Sequence, residues 1–209
     1  MNKEESAGIY GKWSSEVTNN NEIKIKENKS AGIYLEDSNA TNVGTITIDK
    51  GASAGIYGNF TKDAEKDNTI VNNGTITLTA TAGEKKSAGI YGKLESNAAK
   101  KLMISNNKKI DVNMEESVGI YAFNATGDRA NLTADNNAGN GGINVNSKNS
   151  VGMLANNSVA NNKNKIKVNN EKATGMYGEN GSLITNDTTG KIEITTAGEQ
   201  AMGIYATGK

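Results

Sequence analysis

The chain contains no cysteine, no histidine and no proline, and it has one tryptophan and one arginine, Arg129, in 209 residues. Without cysteine there is no disulfide framework and no thiol zinc site. Without histidine the usual general base and the commonest metal ligand are gone. No apolar run approaches ~20 residues, so no transmembrane helix is expected. No apolar segment follows Met1-Asn2-Lys3-Glu4-Glu5, so no signal-peptide pattern is legible. Charge of either sign is not in excess: 23 Lys and Arg face 23 Asp and Glu, with no basic block or stripe, so nucleic acid is not expected as a partner. Apolar residues are scarce at 35%, and mean hydropathy is -0.59, a composition close to that of disordered chains. The regular spacing of those apolar residues argues for order instead.

That spacing comes from a repeat. Ser87-Ala88-Gly89-Ile90-Tyr91-Gly92 recurs with small changes at Ser6, Ser30, Ser53, Ser117, Ser150, Ala173 and Ala201. Its central glycines, Gly8, Gly32, Gly55, Gly89, Gly119, Gly152, Gly175 and Gly203, lie 24, 23, 34, 30, 33, 23 and 28 residues apart. Self-similarity at a period of roughly 20–50 residues is the mark of a solenoid. All seven tyrosines, Tyr10, Tyr34, Tyr57, Tyr91, Tyr121, Tyr177 and Tyr205, occupy one motif position; only the sixth copy differs, with Leu154. One repeated residue implies one repeated environment.

Two further pieces recur before each glycine motif. One is an apolar-x-apolar triplet: Ile23/Ile25, Ile46/Ile48, Ile76/Leu78, Ile110/Val112, Ile143/Val145, Ile166/Val168 and Ile192/Ile194. Such period-two alternation of largely β-branched residues reads as a half-buried strand. The triplet's second apolar residue precedes the motif glycine by seven residues in five cases; the two exceptions carry longer turns, Thr79–Gly83 and Thr195–Gly198. The other piece is a small or apolar residue followed two later by Asn: Val17/Asn19, Ala40/Asn42, Ile70/Asn72, Ile104/Asn106, Ala134/Asn136, Ala160/Asn162 and Ile184/Asn186. Asn suits a tight turn, and stacked Asn side chains can form a hydrogen-bonded ladder.

Three strands and three turns per unit predict an all-β, single-stranded parallel β-helix of about seven to eight coils of 23–34 residues, running over residues 1–209 as one array. At a strand spacing of ~4.8 Å, seven intervals give a rod on the order of 34 Å long. Alternation predicts that motif positions 2 and 4 (Ala, Ile) point inward and positions 1, 3 and 5 (Ser, Gly, Tyr) outward. The segments Asn59–Asn68 and Phe123–Gly142 vary most and are expected to project from one edge as loops.

The S-[AV]-G-[IM]-Y-[GA] repeat, interleaved with Asn-rich segments such as Asn72–Leu78, resembles the passenger regions of fusobacterial autotransporter adhesins, large type V secreted surface proteins. The resemblance covers the whole chain. It implies a right-handed parallel β-helix at the cell surface, outside the cell, with adhesion to a host-cell or bacterial surface protein or glycan as its role. It also implies a parent protein anchored in the outer membrane through a barrel that this chain lacks. On that reading the chain is a fragment without atypical caps, and its open ends are expected to self-associate.

Candidate chemistry is sparse. The tyrosine row is the possible binding stripe, since aromatics stack on sugars and partner surfaces; stacking of the tyrosines on one another within the ladder is the structural alternative. The motif glycines suggest room for a neighbouring ring or a bend. Lys62, Asp63, Glu65, Lys66 and Asp67 share one loop, and Asp128, Arg129 and Asp135 another, without recurring at fixed positions, so they read as solvated charge. Gly139-Asn140-Gly141-Gly142 comes nearest to a calcium nonapeptide and lacks its Asp. No catalytic residues, cofactor or metal are expected. The alternatives are a polysaccharide-active β-helix lyase or hydrolase, and the head of a trimeric autotransporter adhesin.

Overall fold

The computed structural model describes residues 6–137, 139, 141–195 and 199–208. Asn140, in the glycine-rich run named above, and residues 196–198, in the longer turn before the last motif, lie outside the described residues. The chain is a parallel β-helix of three sheets. The tyrosine sheet has eight strands, from Ala7–Lys12 to Met202–Ala206. The asparagine sheet has seven, from Glu16–Asn19 to Leu183–Asn186, and the triplet sheet has seven, from Glu22–Ile25 to Lys191–Ile194. Every strand pairs in parallel with its equivalent one coil away. Ile90 lies between Ile56 and Ile120, Ile110 between Ile76 and Ile143, and Asn106 between Asn72 and Asn136. The only helix among the described residues is a single 3-10 turn, Arg129–Asn131, capped by the Asp128 side chain.

Three inward rows fill the coil. Ile33, Ile56, Ile90, Ile120, Met153 and Met176 form the first. The triplet residues form the second, and Ala40, Ile70, Ile104, Ala134 and Ala160 the third. Ile9 belongs to the first row but is only half-buried, because one coil alone packs on it. The corner between the tyrosine and asparagine sheets is matched by size. Gly58 and Gly92 sit over Ile70 and Ile104, whereas Leu35 shares its coil with Ala40 and Ala122 with Ala134. A Cβ on Gly92 would lie 2.5 Å from Cδ1 of Ile104. In the second, third and fourth coils a large residue on one sheet thus faces a small one on the other, as close packing requires, while the fifth coil has alanine on both.

Side-chain alternation holds for Ile and Tyr and breaks at the motif glycine. Pairing runs Ala54 to Ala88 and Ile56 to Ile90 and skips the glycine between them. The glycine faces the interior: a Cβ on Gly55 would lie 2.6 Å from the Gly89 carbonyl oxygen and 3.1 Å from Cγ2 of the buried Ile76. The expected inward position of Ala and outward position of Gly are therefore reversed, and Ala31, Ala54 and Ala88 line an outer groove. The glycine makes room for stacked backbone and the triplet isoleucine, not for the tyrosine ring. Gly89→Ala, whose Cβ would meet the Gly119 carbonyl oxygen at 2.6 Å, should destabilise the rod by about 1–3 kcal/mol or more. Gly203→Ala is the control, since its nearest contact would be an ordinary 3.7 Å from Ile192. Equal thermal midpoints for the two variants would refute the assignment.

Polar ladders join the coils. Asn19, Asn42, Asn72, Asn106, Asn136, Asn162 and Asn186 form an unbroken chain of amide hydrogen bonds, each Nδ2 donating to the next Oδ1 at 2.8–2.9 Å. Asn42, Asn72, Asn106, Asn136 and Asn162 are inaccessible to solvent. A second ladder runs through the motif serines: the amides of Ser30, Ser53, Ser87 and Ser117 donate to the hydroxyl oxygens of Ser53, Ser87, Ser117 and Ser150 at 3.0–3.1 Å. Ser30, Ser53, Ser87, Ser117 and Ser150 are accordingly buried, although Ser30, Ser53 and Ser87 lie along the outer groove.

Candidate binding groove and loop ridge

The structure places the tyrosines in one row on the outer face of their sheet. Ring centroids lie 5.4, 5.2, 5.1 and 4.7 Å apart from Tyr10 through Tyr34, Tyr57 and Tyr91 to Tyr121. Leu154 occupies the next rung, and Tyr177 and Tyr205 resume the row at 5.3 Å. These spacings follow from strand stacking and fall within the range of favourable ring contacts. Tyr34, Tyr57, Tyr91, Tyr121 and Tyr177 are half-buried, so much of each ring is spent on its neighbours. The structural reading of the row is therefore satisfied whatever else the row does.

A groove of about 900 Å³ runs along this row. Its floor is small: Ser30 and Ala31, Ser53 and Ala54, Ser87 and Ala88. Tyrosines form one wall, and Lys29, Ala52, Lys86 and Glu116 the other. At the fifth coil Val118 replaces the floor alanine, and the groove closes near Leu154. The second wall consists of residues held in the left-handed backbone region, with φ of 53° at Lys29, 53° at Ala52, 65° at Lys86 and 52° at Glu116. The same conformation recurs just before the motif at Asn149, Lys172 and Gln200, so it is the corner's geometry and not a local accident.

Burial against neighbouring coils raises the phenol pKa of Tyr34, Tyr57, Tyr91 and Tyr121 above its ordinary value. At Tyr10 the hydroxyl donates to Glu36 Oε2 at 2.7 Å, and this carboxylate bond is the main cause of its rise. The unfolded chain thus releases these protons first. Stability is fully present below the ordinary phenol value of about pH 10 and is lost as pH climbs through the raised values. A denaturant midpoint that falls steeply above pH 10 in the native sequence, and less so when Tyr57, Tyr91 and Tyr121 are Phe, is the expected result. An identical alkaline loss in both proteins would contradict it.

The variable segments form a ridge along one corner. In three successive coils the strands lengthen to Ala54–Phe60, Ala88–Leu94 and Val118–Asn124, and the asparagine-sheet strands begin at Asn68, Leu102 and Leu132. Residues 61–67, 95–101 and 125–131 are the loops proper, which are narrower than the segments marked out in the sequence. Buried Phe60, Leu94, Asn124, Asn68, Leu102 and Leu132 fill the enlarged cross-section beneath them. The loops are pinned along the rod. Thr61 donates its amide and hydroxyl to Asp37 at 2.7 Å each, Lys66 pairs with Glu16 at 3.2 Å, and Arg129 donates to the Gly181 carbonyl at 2.9 Å. Lys62, Asp63, Glu65, Lys66 and Asp67 are exposed on this ridge, and Lys62 pairs with its neighbour Asp63. Asp128 and Arg129 lie on it two coils further along, while Asp135 is in a strand with Lys163 at 3.0 Å. The structure does not bring the two charged sets together into one constellation.

The chain matches no family model, no curated protein and no solved structure. Among the described residues no group of three or more carboxylates could hold a metal ion, and no helix is long and apolar enough to cross a membrane.

Proposed function

We propose that this chain is a display and adhesion segment of a bacterial surface adhesin, part of the passenger of an autotransporter anchored in the outer membrane. The observation that carries this reading is the division of labour within each coil. The three sheets repeat the same inward residues and the same Asn and Ser ladders, which suits a rigid scaffold. Variation is concentrated in three adjacent loops pinned to one corner, and variable loops on a constant scaffold are where specificity usually resides. Repeated coil positions offer avidity rather than a unique site. The partner on this reading is a protein or glycan on a host or bacterial surface.

A cell-adhesion assay with two variants tests it. In one, residues 61–67 and 125–131 are cut to the length of the short corner after Tyr34. In the other, Tyr34, Tyr57 and Tyr91 are changed to Leu. Trimming should abolish adhesion while the tyrosine changes leave it largely intact in a folded rod. The opposite pattern would make the groove the binding surface, and no adhesion by the native chain would remove the proposal.

A further inference from the structure

The tyrosine row has one gap, and its geometry is that of a slot. Leu154 stands in register between Tyr121 and Tyr177. On one side of the gap Tyr91 and Tyr121 are stacked, with planes 10° apart and centroids at 4.7 Å. On the other side Tyr177 and Tyr205 are stacked, with planes 7° apart and centroids at 5.3 Å. The neighbouring rungs at the far end of the row are tilted or edge-on, at 40°, 34° and 71°. Parallel stacking in both flanking pairs turns their ring faces along the row. One face of Tyr121 and one face of Tyr177 are therefore directed at the Leu154 rung, and the opposite faces are stacked on Tyr91 and Tyr205.

Two rungs separate those faces, a centroid distance of about 10 Å from the strand spacing. A flat ring placed midway would sit about 5 Å from each, inside the range of favourable aromatic contacts. Leu154 is itself half-exposed and shorter than a tyrosine, so it fills the inner part of the rung and leaves the outer part open. Phe123 stands beside the gap, edge-on to Tyr121 at 6.3 Å, and adds an apolar rim. Asn156, next along the strand, is held by Glu179 at 2.7 Å and supplies a polar edge.

We infer that the Leu154 rung is an acceptor slot for an aromatic side chain of a partner protein, whose ring completes the tyrosine stack. The rung's own repeat indicates the occupant: the equivalent position in the other seven coils holds a phenol. An extended peptide backbone gains little from the adjacent groove floor, because the amides there already bond within the rod: Ser87 to Ser117, and Val118 and Val151 to the serine carbonyls one coil back. Recognition falls to a side-chain ring. The slot lies beside the loop of residues 125–131, which is tied to the same coil through Asn157, so ring insertion and loop contacts could be made by one partner. The inference rests on the row's geometry alone and does not depend on where the protein resides.

The test uses the full chain, p-cresol as the analogue of a tyrosine side chain, and methyl β-glucoside as the sugar probe. Amide chemical shifts are followed during titration. Saturable shifts with p-cresol, centred on Leu154, Tyr121 and Tyr177, are expected. Leu154→Tyr, which fills the rung with the row's own residue, should abolish them without lowering the thermal midpoint. Leu154→Ala should tighten binding several-fold, and Tyr177→Leu should weaken it by removing one face. No saturable shift at this rung, shifts that survive Leu154→Tyr, or saturation by the glucoside alone would overturn the slot. The adhesion assay bears on the display reading and this titration on the slot, so the two can fail separately.

Discussion

Asn106→Leu is expected to be among the most damaging single changes in the rod, at about 3–6 kcal/mol, because it strands several buried polar groups at once. Asn106 accepts from Asn72 and donates to Asn136 and to the Lys108 carbonyl. Its side chain is inaccessible to solvent, as are those of Asn72 and Asn136. Leucine returns none of these bonds, and each unsatisfied buried group costs about 1–3 kcal/mol. Against a typical total of about 5–15 kcal/mol, such a loss could leave the array largely unfolded. Asn186→Leu is the matched control, since Asn186 is exposed and ends the ladder. It strands a single buried donor, the Asn162 amide, and should cost about 1–3 kcal/mol, clearly less than Asn106→Leu. Urea midpoints for the two variants, at an unchanged slope, check the difference; equal losses would show that the ladder contributes nothing beyond its separate turns.

The second large effect is expected at Ile90. Ile90→Ala should destabilise by about 2–5 kcal/mol, the range for truncating a buried branched side chain. Ile90 is fully inaccessible and stacked between Ile56 and Ile120. The cavity cannot close easily, because both neighbours are fixed by their own rungs and Gly89 already holds two backbones at close approach. Ile204→Ala, at a position 48% exposed, should cost well under half as much. An unchanged midpoint for Ile90→Ala would mean that this row does not carry the core.

Much of this architecture is legible in the residues because each coil repeats the same physical solution. Asn106 and its equivalents can be read as a ladder because one amide at one position, coil after coil, has only its neighbours to bond with. Even Asn136, displaced in sequence by the inserted residues, lies in register with Asn106 and Asn162. The tyrosine row and the triplet strands are legible for the same reason. The reversal at Ala and Gly is not, because it depends on a pairing step that skips one residue, and alternation alone carries no sign of it. The left-handed corner is hidden as well. It is occupied by Lys29, Ala52, Lys86, Glu116, Asn149, Lys172 and Gln200, a set with no glycine to mark it. The size match of Gly92 to Ile104 and Leu35 to Ala40 links residues in different sheets and emerges only once the coil is closed. The loops were expected to project; their attachment to Asp37, Glu16 and Gly181 depends on coils one or two steps away.

The central claim is that equivalent residues of successive coils stand side by side in parallel, and the absence of native cysteine permits a direct measurement. Thr47 and Thr77 are register partners in the triplet sheet, 30 residues apart in the chain and both partly exposed. Neighbouring strands lie about 4.8 Å apart, within the Cα separation a disulfide spans. The Thr47→Cys/Thr77→Cys variant should oxidise to an intramolecular disulfide while retaining its native circular dichroism. Thr47→Cys/Thr75→Cys, offset by two residues on the same face, should not, since its Cα atoms would be about 8 Å apart. Cross-linking of the offset pair in preference to the register pair would contradict the coil.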